Sequence, residues 1–223
     1  MNIFKKITNW YLGNDDRERE VPREGVPRIA YLAVNYTGRL IALNLIFILS
    51  CIPIVTIPSA ITAMNRYLTK MFLDGFAFDF SDYFEEFKSN FVRKLVIGSA
   101  AGAIMFYGYY LMSLSGNFKG DISGAFFGIG AVVLMGGFLF GEVSLIIESM
   151  FRLDISCLLR DTFFIVFVLW RESLAAVIAA AAILFLSLTF MPYSIILYLS
   201  IFFSFTDMVF IGLFTPKLAK KDI

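Results

Sequence analysis

Three ionisable side chains stand within otherwise apolar stretches, and they are the residues of this sequence best placed to do chemistry. They are Arg66, Glu142 and Asp207. Such residues usually pair with one another or mark the path of a substrate, an ion or a proton, because an unpaired charge in hydrocarbon is costly. We therefore expect a candidate intramembrane polar cluster of these three side chains, with Arg66 paired to Asp207 in preference to Glu142.

Other kinds of chemistry have no residues to support them. The sequence has no histidine, which excludes His-based triads and His zinc sites. Its two cysteines, Cys51 and Cys157, are 106 positions apart and form no C-x-x-C pair. Nucleotide-binding, metalloprotease and G-x-S-x-G motifs are also missing. We predict a protein that is not an enzyme, with no catalytic residue, no cofactor and no metal site.

The composition is that of a membrane protein. Hydrophobic residues make up 59% of the 223 positions and charged residues only 17%, whereas soluble chains are near half apolar and about a quarter charged. Mean hydropathy is +0.77. A net charge of +1 provides no field for an anionic partner, so nucleic-acid binding is not expected.

Four runs are long enough to cross a bilayer, and they carry at most one charge each. The shortest has 18 residues, about 27 Å of helix, which suffices for a ~30 Å core with slight thinning. The runs are residues 95–114, 125–147, 173–190 and 194–214.

A further apolar region, residues 40–64, is interrupted by Pro53 and Pro58. It is either one kinked span or two helices, about 36–52 and 58–73, that meet at a proline turn. The hairpin places 18 of the 19 basic residues on one side of the membrane, which the positive-inside rule favours. The second of these helices is polar, so we expect its neighbours to shield it from lipid.

The predicted fold is therefore an all-α, polytopic transmembrane helical bundle of about six membrane segments. Residues 1–35 are predicted to be a cytoplasmic tail or linker, 36–216 the transmembrane domain and 217–223 a cytoplasmic tail. This arrangement predicts a multi-pass membrane protein with both termini cytoplasmic and the lipid bilayer as its first partner. Homo-oligomer formation is left open.

One or two interfacial amphipathic helices are also expected. In residues 79–94, four phenylalanines recur at helical spacing: Phe80, Phe84, Phe87 and Phe91. We interpret this face as lying on the inner leaflet, the alternative being a docking surface for a cytoplasmic partner. A second such helix is residues 158–170, the alternative being one long helix over 162–190 with Arg171 and Glu172 buried.

Glycines four residues apart recur in the sequence and allow helix backbones to approach closely. We interpret them as packing within the bundle rather than as a dedicated dimer face. The pairs are Gly98/Gly102, Gly124/Gly128 and Gly137/Gly141.

Two stretches carry a family resemblance. Residues 43–58 resemble the first signature of the YesL family, and residues 82–91 resemble its F-F-x-x-F-K-x-N-F element, in the same order and spacing. Ile57 and Ser59 depart from the Gly and Ala that usually flank the second proline there. The motif residues of this sequence are Asn44, Pro53, Thr56, Pro58, Phe84, Phe87, Lys88, Asn90 and Phe91.

The resemblance implies a small plasma-membrane protein of mainly Gram-positive bacteria, often encoded beside carbohydrate-uptake transporters. It implies an accessory or regulatory role in carbohydrate uptake or utilisation, with sugar transporter subunits as partners. The alternative is a small stand-alone transporter or channel with a polar path past Arg66, Glu142 and Asp207.

Overall fold

The computed structural model describes residues 26–77, 79–151, 153–189 and 202–220. Every regular element in these ranges is helical, which confirms the all-α class. The α-helices are α1 Val26–Asn35, α2 Thr37–Ser50, α3 Ile57–Asp74, α4 Ser81–Lys88, α5 Phe91–Leu114, α6 Asp121–Met150, α7 Ile155–Val168, α8 Trp170–Thr189 and α9 Phe203–Lys220.

Two of the described helices, α5 and α6, are each long and apolar enough to cross a membrane. Two bent pairs, α1 with α2 and α7 with α8, each pass the same test together, although each pair bends by 84° at its break. The described chain thus contains two candidate spans, or up to four if each bent pair is one span. The count of six stays a prediction, and residues 190–201, which include the first eight residues of the last predicted span, lie outside the described ranges.

The first apolar region forms the predicted hairpin rather than one kinked helix. Helix α2 ends at Ser50, shortly before Pro53, which has no N–H to continue the helical hydrogen bonds. A short 3₁₀ turn, Ile54–Thr56, then leads into α3. The Thr56 hydroxyl donates to the Ser50 carbonyl at 2.6 Å and so closes the turn. Pro58 lies in the first turn of α3, where a missing N–H costs nothing.

Helix α3 is polar in sequence and largely buried in the structure, as expected for a shielded segment. Thr62, Asn65 and Thr69 follow one another at helical spacing and are all buried. The helix ends at Gly75, whose φ of 83° is a left-handed conformation that glycine adopts without a steric penalty.

The predicted helix over residues 79–94 is wrong in its extent. The chain breaks at Ser89 and Asn90, and Asn90 has a φ of 44°. Asparagine tolerates this left-handed conformation, so it can separate α4 from α5 where most residues would be strained. The predicted face is divided as a result, because Phe91 belongs to α5.

The buried face of α4 also differs from the predicted one. Phe80, just before the helix, stacks on Tyr67 of α3, and Phe87 stacks on the fully buried Tyr83. Burial raises the pKa of Tyr83 to about 12, so its phenol stays neutral. Phe84 is 46% exposed and lies outside this packing face.

Residues 155–189 form two helices, as the interfacial interpretation of residues 158–170 requires. The chain breaks at Leu169, and α8 leaves at 84° to α7. A single straight helix over residues 162–190 is thus wrong for the part described. Arg171 lies at the beginning of α8 and contacts the Trp170 ring, with its guanidinium carbon 5.8 Å from the ring centroid.

The N-terminal part of the described chain packs on the bundle. Residues 26–35, assigned from sequence to the tail, form α1, and Ile29 and Leu32 are buried in the core that also contains residues of α2, α3 and α9. Residues 1–25 and 221–223 lie outside the described ranges.

Candidate functional site: a cavity with two carboxyl groups

A cavity of about 540 Å³ lies between α2, α3, α6 and α9. Its walls are almost entirely apolar, and five phenylalanine rings contribute to them. The ring centroids of Phe47 and Phe203 are 5.2 Å apart, and Phe138 meets Phe210 edge-on at 5.9 Å. The full lining is Phe47, Ile48, Cys51, Ile52, Ile57, Ile61, Met64, Phe138, Glu142, Phe202, Phe203, Thr206, Asp207 and Phe210.

Glu142 reaches the cavity because of how α6 packs on α5. Gly137 and Gly141 face α5, where an added Cβ would lie 2.9 Å from Ile104 and from Ala101 respectively. One residue further along a helix is a rotation of about 100°. Phe138 and Glu142 are therefore turned away from α5 and line the cavity.

Asp207 is buried on α9 and is held by Asn65 of α3. In the amide orientation that satisfies both groups, Asn65 Nδ2 donates to the two carboxylate oxygens of Asp207 at 2.8 and 2.9 Å. Asn65 is fully buried, so this contact fixes both side chains. A neutral amide orients the carboxylate without cancelling its charge.

Glu142 has hydrogen-bonding capacity left over. Its Oε2 is buried and has no hydrogen-bond partner in the described part of the chain. Burying a carboxyl oxygen without a partner is expensive, so such an atom points to a missing ligand, proton or water.

Glu142 and Asp207 line the same cavity, one from α6 and the other from α9. Two negative charges in an apolar cavity repel strongly, and either a shared proton or the positive group of a ligand relieves that repulsion. The arrangement can therefore hold a cation or a proton between α6 and α9.

The predicted cluster of three is only partly formed, since Arg66 does not belong to it. Arg66 is exposed, and its Nη1 donates to the Ser149 carbonyl at the C-terminal end of α6, at 3.0 Å. A cation at that end of a helix is favourable because the last carbonyls have no partner within the helix. The prediction that Arg66 pairs with Asp207 is wrong, and Asn65, its neighbour in sequence, takes that place.

The named residues of the first motif hold the helices that form the cavity but do not line it. Asn44, fully buried, accepts a hydrogen bond from the Ser204 backbone N–H at 3.1 Å and so joins α2 to α9. Pro53 and Thr56 shape the turn, and Pro58 packs against Gly98 of α5. These residues position the site without contributing a charged group to it.

The second motif lies away from the cavity, around a buried ion pair. Lys94, whose side chain is fully buried, pairs with Glu86 at 2.7 Å and also contacts the Ser89 hydroxyl at 3.1 Å. Asn90 provides the sharp break that allows this contact between α4 and α5. Lys88 is exposed.

Sequence reasoning missed Asn65 and the aromatic walls. The signal for Asn65 was its spacing from Thr62 and Thr69, which places three polar side chains on one face of α3. Arg66 instead shares a face with Lys70, four residues on, which pairs with Asp82 at 2.8 Å. The phenylalanines come from four separate places in the chain, and no local pattern brings them together.

Comparison with known proteins identifies a family match over part of the chain. A family model described as a protein of unknown function, DUF624, matches residues 40–111. YesL is known as a DUF624 family, so this match supports the resemblance over the stretch that contains both motifs. It covers less than half of the chain. No curated protein and no solved structure matches the sequence.

The described residues contain no group of three or more His, Cys, Asp or Glu side chains arranged to hold a metal ion. The cavity lining offers two carboxyl groups, the Cys51 thiol, the Thr206 hydroxyl and aromatic rings, and the Asn65 amide is held against Asp207.

Proposed function

We propose that this chain is a small membrane protein that binds, and as a transporter moves, an organic cation in the cavity between α2, α3, α6 and α9. The observation that carries the proposal is the presence of Glu142 and Asp207 together on the wall of an otherwise apolar, phenylalanine-lined cavity. Buried carboxylates attract a positive group, and aromatic faces stabilise it further through cation–π contacts.

The cavity suits an apolar body with one positive charge better than it suits a sugar. A sugar presents many hydroxyl groups, each of which needs a hydrogen-bonding partner once it is buried. The cavity lining provides few: two carboxyl groups and the Thr206 hydroxyl, which already donates to the Phe202 carbonyl at 2.9 Å.

An accessory role in carbohydrate uptake, which the family resemblance implies, stays a prediction. Since the cavity is poorly suited to sugars, such a role would operate through contact with transporter subunits. Co-purification of those subunits from the native membrane tests it independently of the cavity.

Binding of radiolabelled tetraphenylphosphonium to the purified protein in lipid nanodiscs tests the proposal. Glu142→Gln and Asp207→Asn should each weaken binding about 10- to 100-fold, since a contact to a buried charge is worth roughly 1.5–3 kcal/mol. Glu85→Gln and Asp121→Asn make the same chemical changes at exposed positions and should leave binding unchanged.

The uncharged triphenylphosphine oxide should bind at least tenfold more weakly than the cation, because it offers the carboxyl groups no charge. Wild-type affinity in both cavity variants, with folding verified by thermal unfolding, would refute the proposed site.

A further inference from the structure

The hairpin of α2 and α3 is too short to cross a bilayer. Helix α2 has 14 residues, about 21 Å, and Arg39 occupies its first turn. The hydrocarbon core is ~30 Å thick. Helix α3 has 18 residues, but it carries Arg66 and Lys70 on one face and is buried against its neighbours over much of its length.

The contacts of the hairpin turn with α5 show how far along α5 the turn lies. Pro58, at the beginning of α3, packs directly on Gly98, and the 3₁₀ turn also contacts α5. Gly98 is only three residues into the uncharged run that begins at residue 95. From Gly98 to the end of α5 at Leu114, 16 residues of helix, ~24 Å, continue beyond the turn.

The charged residues show which end of α5 lies beside the hairpin. Arg93, in the first turn of α5, pairs with Glu148 near the end of α6 at 2.9 Å. Arg66 of α3 reaches Ser149 at the same level. The middle of α3 therefore lies beside the charged ends of α5 and α6, and the hairpin turn lies well short of the polar loop that contains Lys119.

The turn itself is apolar and exposed. Ile52, Ile54 and Val55 are 73%, 80% and 53% exposed. Three adjacent large aliphatic side chains would be unfavourable in water, but they fit hydrocarbon. A turn at this depth places them there.

The mouth of the cavity lies at the same turn. Ile52 and Phe203 line the cavity and are 73% and 38% exposed, whereas Met64, Asp207 and Phe210 line it and are buried. The exposed wall of the cavity is thus on the side of the hairpin turn, and the carboxyl groups lie further inside the cavity, away from this opening.

We propose that the α2–α3 hairpin is re-entrant: it enters the bilayer from the charged side, turns at residues 52–55 within the hydrocarbon and returns. The cavity then opens to lipid, and its ligand is an organic cation dissolved in the bilayer. The position of the turn does not depend on the proposed function, whereas the source of the ligand rests on that function. The predicted orientation of the basic residues is preserved, since a re-entrant hairpin returns to the side from which it came.

The position of the turn is tested with Ile54→Cys in a Cys51→Ser, Cys157→Ser background, in sealed liposomes. We expect this cysteine to resist a water-soluble maleimide added to either side. After labelling with a small fluorophore in detergent and reconstitution, we expect quenching by lipids brominated in mid-chain and none by aqueous iodide. Asn117→Cys and Glu85→Cys, in the two exposed polar regions, should react from opposite sides.

Reaction of the cysteine at position 54 from the same side as the one at 117 would show a hairpin that crosses the bilayer. Reaction from the side of position 85 would show a turn outside the membrane. Either result overturns the re-entrant hairpin.

The source of the ligand is tested by kinetics with methyl-, butyl- and decyl-triphenylphosphonium. At one aqueous concentration, the association rate should rise in proportion to each cation's partition into the liposome lipid. Equal rates would mean entry from water, which overturns entry from lipid but leaves the binding site intact. Absence of binding by all three would count against the proposed function and would leave the measured position of the turn unaffected.

Discussion

At the scale of single residues, Lys94 is fully buried and pairs with the carboxylate of Glu86, whose side chain is only 13% exposed. Its ammonium group also contacts the Glu86 backbone carbonyl and the Ser89 hydroxyl. Three acceptors from the end of α4 thus surround one cation from the beginning of α5. This contact fixes the angle between the two helices.

Lys94→Met should destabilise the protein by about 3–5 kcal/mol, because Glu86 would keep its charge in a site that has lost its cation. Lys94→Met combined with Glu86→Gln should recover part of that loss. Lys88→Met, an identical change at an exposed position, should stay within about 0.5 kcal/mol of wild type. Chemical unfolding in mild detergent measures all three, and an equal effect of Lys94→Met and Lys88→Met would contradict a buried ion pair.

Arg66 gives a second prediction at this scale. Because it caps the end of α6 and makes no contact with Asp207, Arg66→Met and Asp207→Asn should be additive within about 0.5 kcal/mol. Asn65→Ala and Asp207→Asn should instead be strongly non-additive, since those two side chains are in contact. Thermal unfolding of the single and double variants gives both coupling energies, and coupling of Arg66 rather than Asn65 to Asp207 would restore the ion pair expected from sequence.

Glu142 and Asp207 were predictable because a charge within an apolar run stands out in any hydropathy profile. The role of Asn65 was not predictable, because a polar residue next to an arginine is easily assigned to the same solvent-facing side of the helix. The two differ by one helical step, about 100°, and only the packing of α3 decides which of them faces α9.

At the scale of elements, the hairpin and α5 are joined by a close contact between Pro58 and Gly98. A Cβ added at Gly98 would overlap the Pro58 ring, whereas a Cβ at Gly102 would meet no atom within 4 Å. The two glycines lie one turn apart on the same helix, so they form a matched pair.

Gly98→Ala should destabilise the protein by about 1–3 kcal/mol, the usual cost of overpacking, because the rigid proline ring cannot move aside easily. Gly102→Ala should be neutral, or stabilising by up to about 1 kcal/mol, since alanine favours helix over glycine. The measurement is again unfolding in detergent. A destabilising Gly102→Ala together with a tolerated Gly98→Ala would mean that α5 packs through its other face.

Element boundaries were predictable where a residue type imposes them. Pro53 ends α2 and Gly75 ends α3, and both follow from backbone chemistry. The break at Asn90 was not predicted, because the phenylalanine spacing continues across it and asparagine is compatible with helix as well as with the left-handed conformation. Neither proline nor glycine marks the bend at Leu169, and the local signal for it was the charged pair Arg171 and Glu172 just beyond.

At the scale of the whole molecule, ion pairs within the described residues gather at one end of the bundle. Arg93 with Glu148 and Lys94 with Glu86 lie where α5 begins and α6 ends, and Lys70 pairs with Asp82 at 2.8 Å beside the end of α3. The cavity lies on the apolar side of this polar end. The charge pattern alone predicted the polar end, but the cavity required the tertiary packing of four helices.

The central claim is that a cation occupies the cavity beside Glu142 and Asp207, and Cys51 provides a direct probe because its side chain lines that cavity. In a Cys157→Ser variant, the rate at which N-ethylmaleimide alkylates Cys51 can be followed by mass spectrometry with and without tetraphenylphosphonium. The account predicts that alkylation slows, with half-protection at the dissociation constant for binding, and that Glu142→Gln shifts protection to higher concentration. An alkylation rate unchanged at saturating tetraphenylphosphonium would contradict it.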